Sequence, residues 1–364
     1  MDHQFLDGYR ETDLVRVREK MAALNLGALI VSDLSVIRWL SGFSGSNARL
    51  LVTPERLVLF TDFRYREQAA TEVGIAETVI ASDGFAPELF SGAYPLGPAV
   101  GIQSDSMMWD EAQRLCDRLD PMTAAVPLVS FFDDLRMVKN RIELMHLQRA
   151  ASISEQVFEM ILPLIGTQAT ELDIAAEITY QHKKLGAEKD SFEPIVASGA
   201  RAAMPHAKPT ASHFRPGELI VIDMGCVSEG YASDQTRTVA LGRVSPENRA
   251  IYSIVADAQQ LGLTTARCGM SAAELDGTVR GYIDRRGYGE AFGHSLGHGV
   301  GIDVHEEPRI SSKNSRILGE NMVFTIEPGI YLPGRLGVRI EDTVLLRSDG
   351  AHPFQRFTKK LLEL

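Results

Sequence analysis

Two stretches of this 364-residue chain restrict its fold more than any others: E-L-I-V-I-D-M-G at 218–225 and N-M-V-F-T-I-E-P-G at 321–329. Each is an apolar run closed by a carboxylate and a turn glycine. Alternate residues of a strand share a face, so Asp223 lines up with Leu219 and Val221 and points toward a buried layer. A carboxylate there is costly unless it is paired. A second carboxylate opens the Thr/Val strand that follows each run: Asp234 in D-Q-T-R-T-V-A-L and Glu341 in E-D-T-V-L-L. Helical stretches at about 141–165 and 170–185 precede the first pair, and others at about 246–266 and 271–286 precede the second. The pattern reads as an internal duplication, two helix-helix-hairpin halves facing one another.

Between the halves lies F-G-H-S-L-G-H-G-V-G-I-D-V-H-E-E-P at 292–308, with His294, His298 and His305 among glycines 293, 297, 299 and 301. Each glycine would cost a helix interior about 1 kcal/mol relative to alanine. Extended chain and turns are therefore expected, with backbone passing close to a neighbour. Taken singly, Asp223, Asp234, Glu327 and Glu341 each also read as a salt bridge or a cap. Taken together they would repel one another, and two divalent cations would offset their four charges. His298 adds a nitrogen ligand. Four carboxylates and one imidazole suit two hydrolytic metals, with manganese, cobalt, zinc or iron fitting better than magnesium. H-E-x-x-H and Walker patterns are missing.

The rest of the chain predicts an α/β domain over 1–134 and an α+β domain over 135–364. A helix is expected at 11–26, a strand in G-A-L-I-V-S, a hairpin from 49–53 and 57–61, helices at 63–72 and 106–119, and a strand at 99–102. Residues 191–209 read as irregular. G-F-S-G-S at 42–46 does not meet the nucleophile-elbow pattern. Lys+Arg of 37 against Asp+Glu of 48 gives a net charge of −11, which argues against nucleic acid or an anionic membrane as partner. Cys116, Cys226 and Cys268 form no CxxC pair and suit a reducing cytoplasm. The start, M-D-H-Q-F-L-D-G-Y-R, is not a secretion signal, and no apolar run is long enough to span a bilayer.

D-M-G with D-Q-T-R-T eleven residues on, then G-H-G-V-G-I-D-V-H-E-E-P, T-I-E-P-G and R-I-E-D, resembles the Xaa-Pro peptidases, prolidase and aminopeptidase P. F-T-D-F-R-Y in the N-terminal part resembles their smaller domain. The resemblance implies a pita-bread catalytic domain with two divalent metal ions per subunit, manganese favoured. Asp223 would hold one metal, His298 and Glu327 the other, and Asp234 and Glu341 would bridge them. His206 would contact substrate, His305 would stabilise the scissile carbonyl, and Glu327 would shuttle a proton. His294 would face substrate or the ligands, Arg339 would lie near the metals, and Arg309 would lie near a substrate's C-terminal carboxylate. Phe192 and Ile195 could line a proline slot or pack in the core. The implied protein is a homodimeric prolidase acting on a small peptide with proline second. Alternatives are an aminopeptidase P taking longer Xaa-Pro-Xaa peptides and a non-catalytic pita-bread module. Methionine aminopeptidase usually lacks the N-terminal domain and H-E-E-P, and creatinase lacks the ligands present here.

Overall fold

Leu14, Val17 and Met21 recur at helical spacing, and they are the buried face of the first helix, α1 (His3–Ala23). The computed structural model describes residues 3–364, with side chains from Gly8 onward. Strand β1 (Ala28–Val31) leads into α2 (Leu34–Ser41), which the Asp33 carboxylate caps by accepting the Ser35 and Val36 N–H groups. Gly42, at φ 85°, ends α2 in the left-handed conformation that glycine adopts without strain. β2 (Ala48–Val52) and β3 (Leu57–Thr61) form the expected hairpin. Then come α3 (Arg66–Glu72), β4 (Glu77–Ile80), α4 (Phe85–Leu89), β5 (Ala99–Gln103), α5 (Trp109–Cys116) and β6 (Ala124–Leu128). They complete a six-stranded mixed sheet in the order β4-β3-β2-β1-β5-β6. Its core is built from Ile30, Leu51, Val58, Phe60 and Val100. The first compact unit ends at Arg136, within α6 (Asp133–Met137).

The second unit, Met137–Leu364, carries two helix pairs. α7 (Arg141–Ile161) starts at an Asn140/Glu143 capping box and α8 (Glu171–Lys184) at a Thr170/Asp173 box, each satisfying otherwise orphaned N–H groups. Residues 191–209 are only partly irregular. After β7 (Lys189–Asp190), β8 (Ile195–Ser198) pairs with β9 (Leu219–Met224). β8 is a short, mostly buried run without polar alternation, so periodicity does not mark it. β10 (Cys226–Ser228) and β11 (Tyr231–Ala232) form an extension, and β12 (Gln235–Ala240) returns antiparallel to β9. The second pair is α9 (Pro246–Thr265), with Ser245 as cap and proline in its first turn, and α10 (Ala272–Asp284), with a Ser271/Glu274 capping box.

β13 (Gly297–Gly299), β14 (Glu306–Ile310), β15 (Val323–Ile326), β16 (Gly329–Leu332), β17 (Leu336–Arg339), β18 (Asp342–Arg347) and β19 (Gly350–Pro353) follow. Five of them form the sheet β14-β13-β15-β18-β19, opposite in role to the sheet β12-β9-β8. The two hairpins meet where the Glu341 N–H donates to the Thr236 carbonyl, at 3.0 Å, and the Thr238 hydroxyl to the Arg339 carbonyl, at 2.9 Å. Among the described residues no helix is long and apolar enough to cross a membrane.

Candidate metal centre

The carboxylates sit at the ends of the hairpin strands. Asp223 is the fifth residue of β9, Asp234 immediately precedes β12, Glu327 follows β15 and Glu341 precedes β18. His298 is the middle residue of β13, and its N–H donates to the Thr325 hydroxyl at 3.1 Å. The glycines around it are there for close approach. A Cβ at Gly297 would collide with the Thr325 carbonyl, at Gly299 with the Glu307 carbonyl, and at Gly301 with the Glu306 carboxylate; Gly293 faces open space. α10 fixes the segment before β13. Arg280 donates to the carbonyls of Phe292 and His294, both at 2.8 Å, and the Asp276 carboxylate accepts the Leu296 N–H at 3.1 Å.

These placements bring ligand atoms of Asp234, His298 and Glu341 within 4.8 Å of one another. His298 Nε2 lies 3.5 Å from Asp234 Oδ2 and 3.5 Å from Glu327 Oε1. Its Nδ1 faces the Gly299 carbonyl at 3.1 Å, so the ring proton belongs on Nδ1 and Nε2 keeps a lone pair for the cluster. Asp223 joins through Arg339, whose Nη2 donates to Asp223 Oδ2 at 2.6 Å. Arg339 also donates to the Thr236 hydroxyl at 3.0 Å and to the Tyr331 hydroxyl at 2.8 Å, and Thr236 donates to Glu341 Oε2 at 2.6 Å.

Electrostatics at the centre are those of an anionic site short of cations. Burial, compounded by Glu341, Asp223 and Glu327, pushes the Asp234 carboxyl well above its ordinary range. Burial, then Glu327 and Asp223, does the same to Glu341. Burial lifts Glu327 to about 8. Burial, then His305, lowers His298 to about 4, and burial, then Arg339, lowers His294 to about 4. Asp223 Oδ1 and Glu341 Oε1 are buried with no hydrogen-bond donor. Buried acceptors rarely stay unpaired. Orphaned oxygens, mutually repelling carboxylates and an imidazole nitrogen aimed among them are what divalent cations would satisfy, so the donor set fits metal.

Around this centre stand the other residues singled out in the sequence. The His298 and His305 rings are 4.3 Å apart. His305, His206 and Arg309 are exposed. Partial desolvation of its ring beside His298, then the charges of Arg309 and His206, lowers the basicity of His305. His294 Nε2 lies 3.0 Å from the Tyr331 hydroxyl, which ties it to Arg339 rather than to the carboxylates. Phe192 is half-buried between β7 and β8, and among the described residues no hydrogen bond or charge interaction joins it to the centre. Sequence reasoning missed Tyr331, Thr236 and Lys139. Lys139 is buried and pairs with Glu306, the residue after His305, at 2.8 Å.

Paired hairpins that carry carboxylates and an imidazole under paired helices are the pita-bread architecture of a metallopeptidase, joined here to a smaller α/β domain. Residues 145–348 match metallopeptidase family M24 and residues 14–138 match the creatinase/prolidase N-terminal domain, so the chain belongs to that family, among the Xaa-Pro peptidases. It is 33% identical to the uncharacterized peptidase YqhT of Bacillus subtilis over 96% of this chain and 99% of that one. The Xaa-Pro dipeptidase from Bacillus anthracis superposes with a TM-score of 0.93 at 32% identity, covering 98% of this chain and 100% of that one. The X-Pro aminopeptidase from Thermotoga maritima superposes at 0.88 with 34% identity, covering 95% and 100%.

Proposed function

We propose that this protein is a prolidase, hydrolysing Xaa-Pro dipeptides with two divalent metal ions held by Asp223, Asp234, His298, Glu327 and Glu341. Asp223 would serve one metal, His298 and Glu327 the other, and Asp234 and Glu341 would be shared between them. Manganese as the ion and a homodimer as the state are favoured by family resemblance, and a cytoplasmic location by the sparse, unpaired cysteines. When bound, such ions supply Lewis acidity and make water nucleophilic near neutral pH. The chain's own groups do the rest. His305, with its basicity lowered, is neutral at pH 7 and donates a hydrogen bond to the scissile carbonyl oxygen as charge develops there. His206 holds the substrate beside it. Glu327, 3.5 Å from His298 Nε2, takes a proton from the attacking water and passes it to the leaving imino nitrogen. His294 and Tyr331 keep Arg339 in place. Phe192 and Ile195 lie on the segment proposed to take the proline ring.

One observation favours dipeptides. Among the described residues the Arg309 guanidinium has no carboxylate partner. Glu306 is taken by Lys139, and Glu307 accepts the Arg309 backbone N–H at 3.1 Å. An exposed guanidinium whose charge is felt at His305 and His298 suits bidentate capture of a carboxylate just beyond proline. Likeness to the Thermotoga maritima aminopeptidase supports the second reading, an aminopeptidase P open on that side. Steady-state kinetics of Arg309→Ala decide between them. A prolidase should show KM for Xaa-Pro raised by about tenfold or more, the loss of one charged contact, and little change for Xaa-Pro-Xaa amides. Equal effects on both, or a wild-type preference for the longer peptides, would make it an aminopeptidase P.

A further inference from the structure

A chain of sealed polar groups runs outward from the residue before Asp234, and the reaction above uses none of it. Ser154 of α7, His182 of α8, Cys226 and Ser233 are all buried. Asp190 of β7 faces His182 Nδ1 at 2.7 Å and accepts the Thr179 hydroxyl at 2.5 Å. A carboxylate can only accept, so Nδ1 carries the ring proton, and in the neutral imidazole Nε2 offers its lone pair. Ser154 Oγ lies 3.4 Å from that Nε2 and 2.7 Å from Ser233 Oγ, which accepts the Cys226 N–H at 2.9 Å. One assignment spends each hydroxyl proton once and fills each acceptor: Ser233 donates to Ser154, Ser154 to His182, and His182 to Asp190. Bonds aligned in one direction polarise one another and stiffen the series.

A serine, a histidine and an aspartate in sequence invite a hydrolytic reading, but Ser154 is 0% exposed and no substrate reaches it. The far end of the series is what matters. The Ser233 carbonyl accepts the Ser191 hydroxyl at 2.9 Å, and the Ser191 N–H donates to the Gly225 carbonyl at 2.9 Å. A Cβ at Gly225 would run into the Ser233 carbonyl, so the backbones beside Asp223 and Asp234 are in direct contact. From the opposite side the Asp234 carbonyl accepts the Thr343 hydroxyl at 2.8 Å and the Gln355 amide at 2.9 Å. Asp234 is thus held between two polar clamps.

We infer that Asp190, His182 and Ser154 are positioning residues for the metal centre, holding Ser233 and through it the Asp234 carboxylate at its ligand position. The inference rests on Asp234 being a metal ligand. Partners behind metal ligands are worth roughly 10- to 100-fold in metal affinity or activity. Ser154 reaches Asp234 only through Ser233, so the lower end applies.

The test is cobalt titration of chelator-stripped, full-length protein, read by visible absorption, for wild type, Ser154→Ala and His182→Met. Both variants should lose about tenfold in Co2+ affinity and shift the cobalt bands. With Xaa-Pro substrate, kcat should fall by a similar factor while KM stays within about twofold, because substrate contacts are untouched. Unchanged affinity and spectrum in the folded variants, with only a lower melting temperature, would make the series a packing feature and overturn the inference alone. Wild type that takes up no cobalt would overturn the ligand assignment and this inference with it. Should Ser154→Ala fail to fold, His182→Met, close in volume, gives the same reading.

Discussion

A guanidinium lies inside the carboxylate cluster. Burial alone would lower Arg339, but Tyr331, Asp223, Glu327 and Glu341 around it keep it charged. Its contact with Asp223 leaves the centre three negative charges rather than the four visible in the sequence. Two divalent ions would then leave one positive charge, suited to an anionic partner. The carboxylates were legible because two close apolar runs and two open the Thr/Val strands that follow. Tyr331 was not, since a tyrosine in a strand reads as core, and neither was Lys139, which pairs with Glu306 across a long sequence separation. His305 is argued at this same scale. It stands beside His298 but faces solvent, so His305→Ala should keep its metals and lose turnover by about 100-fold or more, as removal of an oxyanion donor does. Metal analysis alongside kcat checks this, and metal lost in step with activity would make His305 a ligand.

At the scale of elements, the long helices and both hairpins were legible, because α7 to α10 carry caps and apolar periods and each hairpin strand alternates or runs apolar. The short elements α2, β4, α4, β6 and β8 were not, having too few residues to establish a period. Sheet order was also hidden: β1 pairs with β5 across α2 through α4, a non-local choice that local pattern does not encode. The glycine-rich stretch was readable as close approach, and the collisions at Gly297, Gly299 and Gly301 give that reading atoms. Gly299→Ala should therefore destabilise the chain by about 1–3 kcal/mol, the usual cost of overpacking, while Gly293→Ala should be near neutral. Chemical denaturation of metal-free variants measures both. Equal midpoints would mean that the β13–β14 contact gives way without cost.

For the whole molecule, the centre couples stability to pH and metal. Asp234, Glu327 and Glu341 have raised pKa values in the folded metal-free chain. Their stabilising effect is present below the ordinary carboxyl range and is lost as pH rises, through about 8 for Glu327. His294 and His298 run the other way, lowered from 6.5 to about 4, so their effect is present above 6.5 and lost as pH falls through 4. Between 6.5 and 8 only the carboxyls act. Each still protonated there lowers stability by about 1.4 kcal/mol per pH unit. The melting temperature of metal-free protein should fall across that window, and metal-loaded protein should not follow it, since cations take the place of the protons. A metal-free melting temperature flat or rising from pH 6.5 to 8 would contradict these shifts. The central claim is the two-metal centre itself, and calorimetric titration of manganese into chelator-stripped protein tests it most directly. Wild type should take up two equivalents per chain, and Asp234→Ala, folded but missing one of the proposed ligand carboxylates, one or none. Two full equivalents in that variant with wild-type affinity, or none in wild type, would contradict the account.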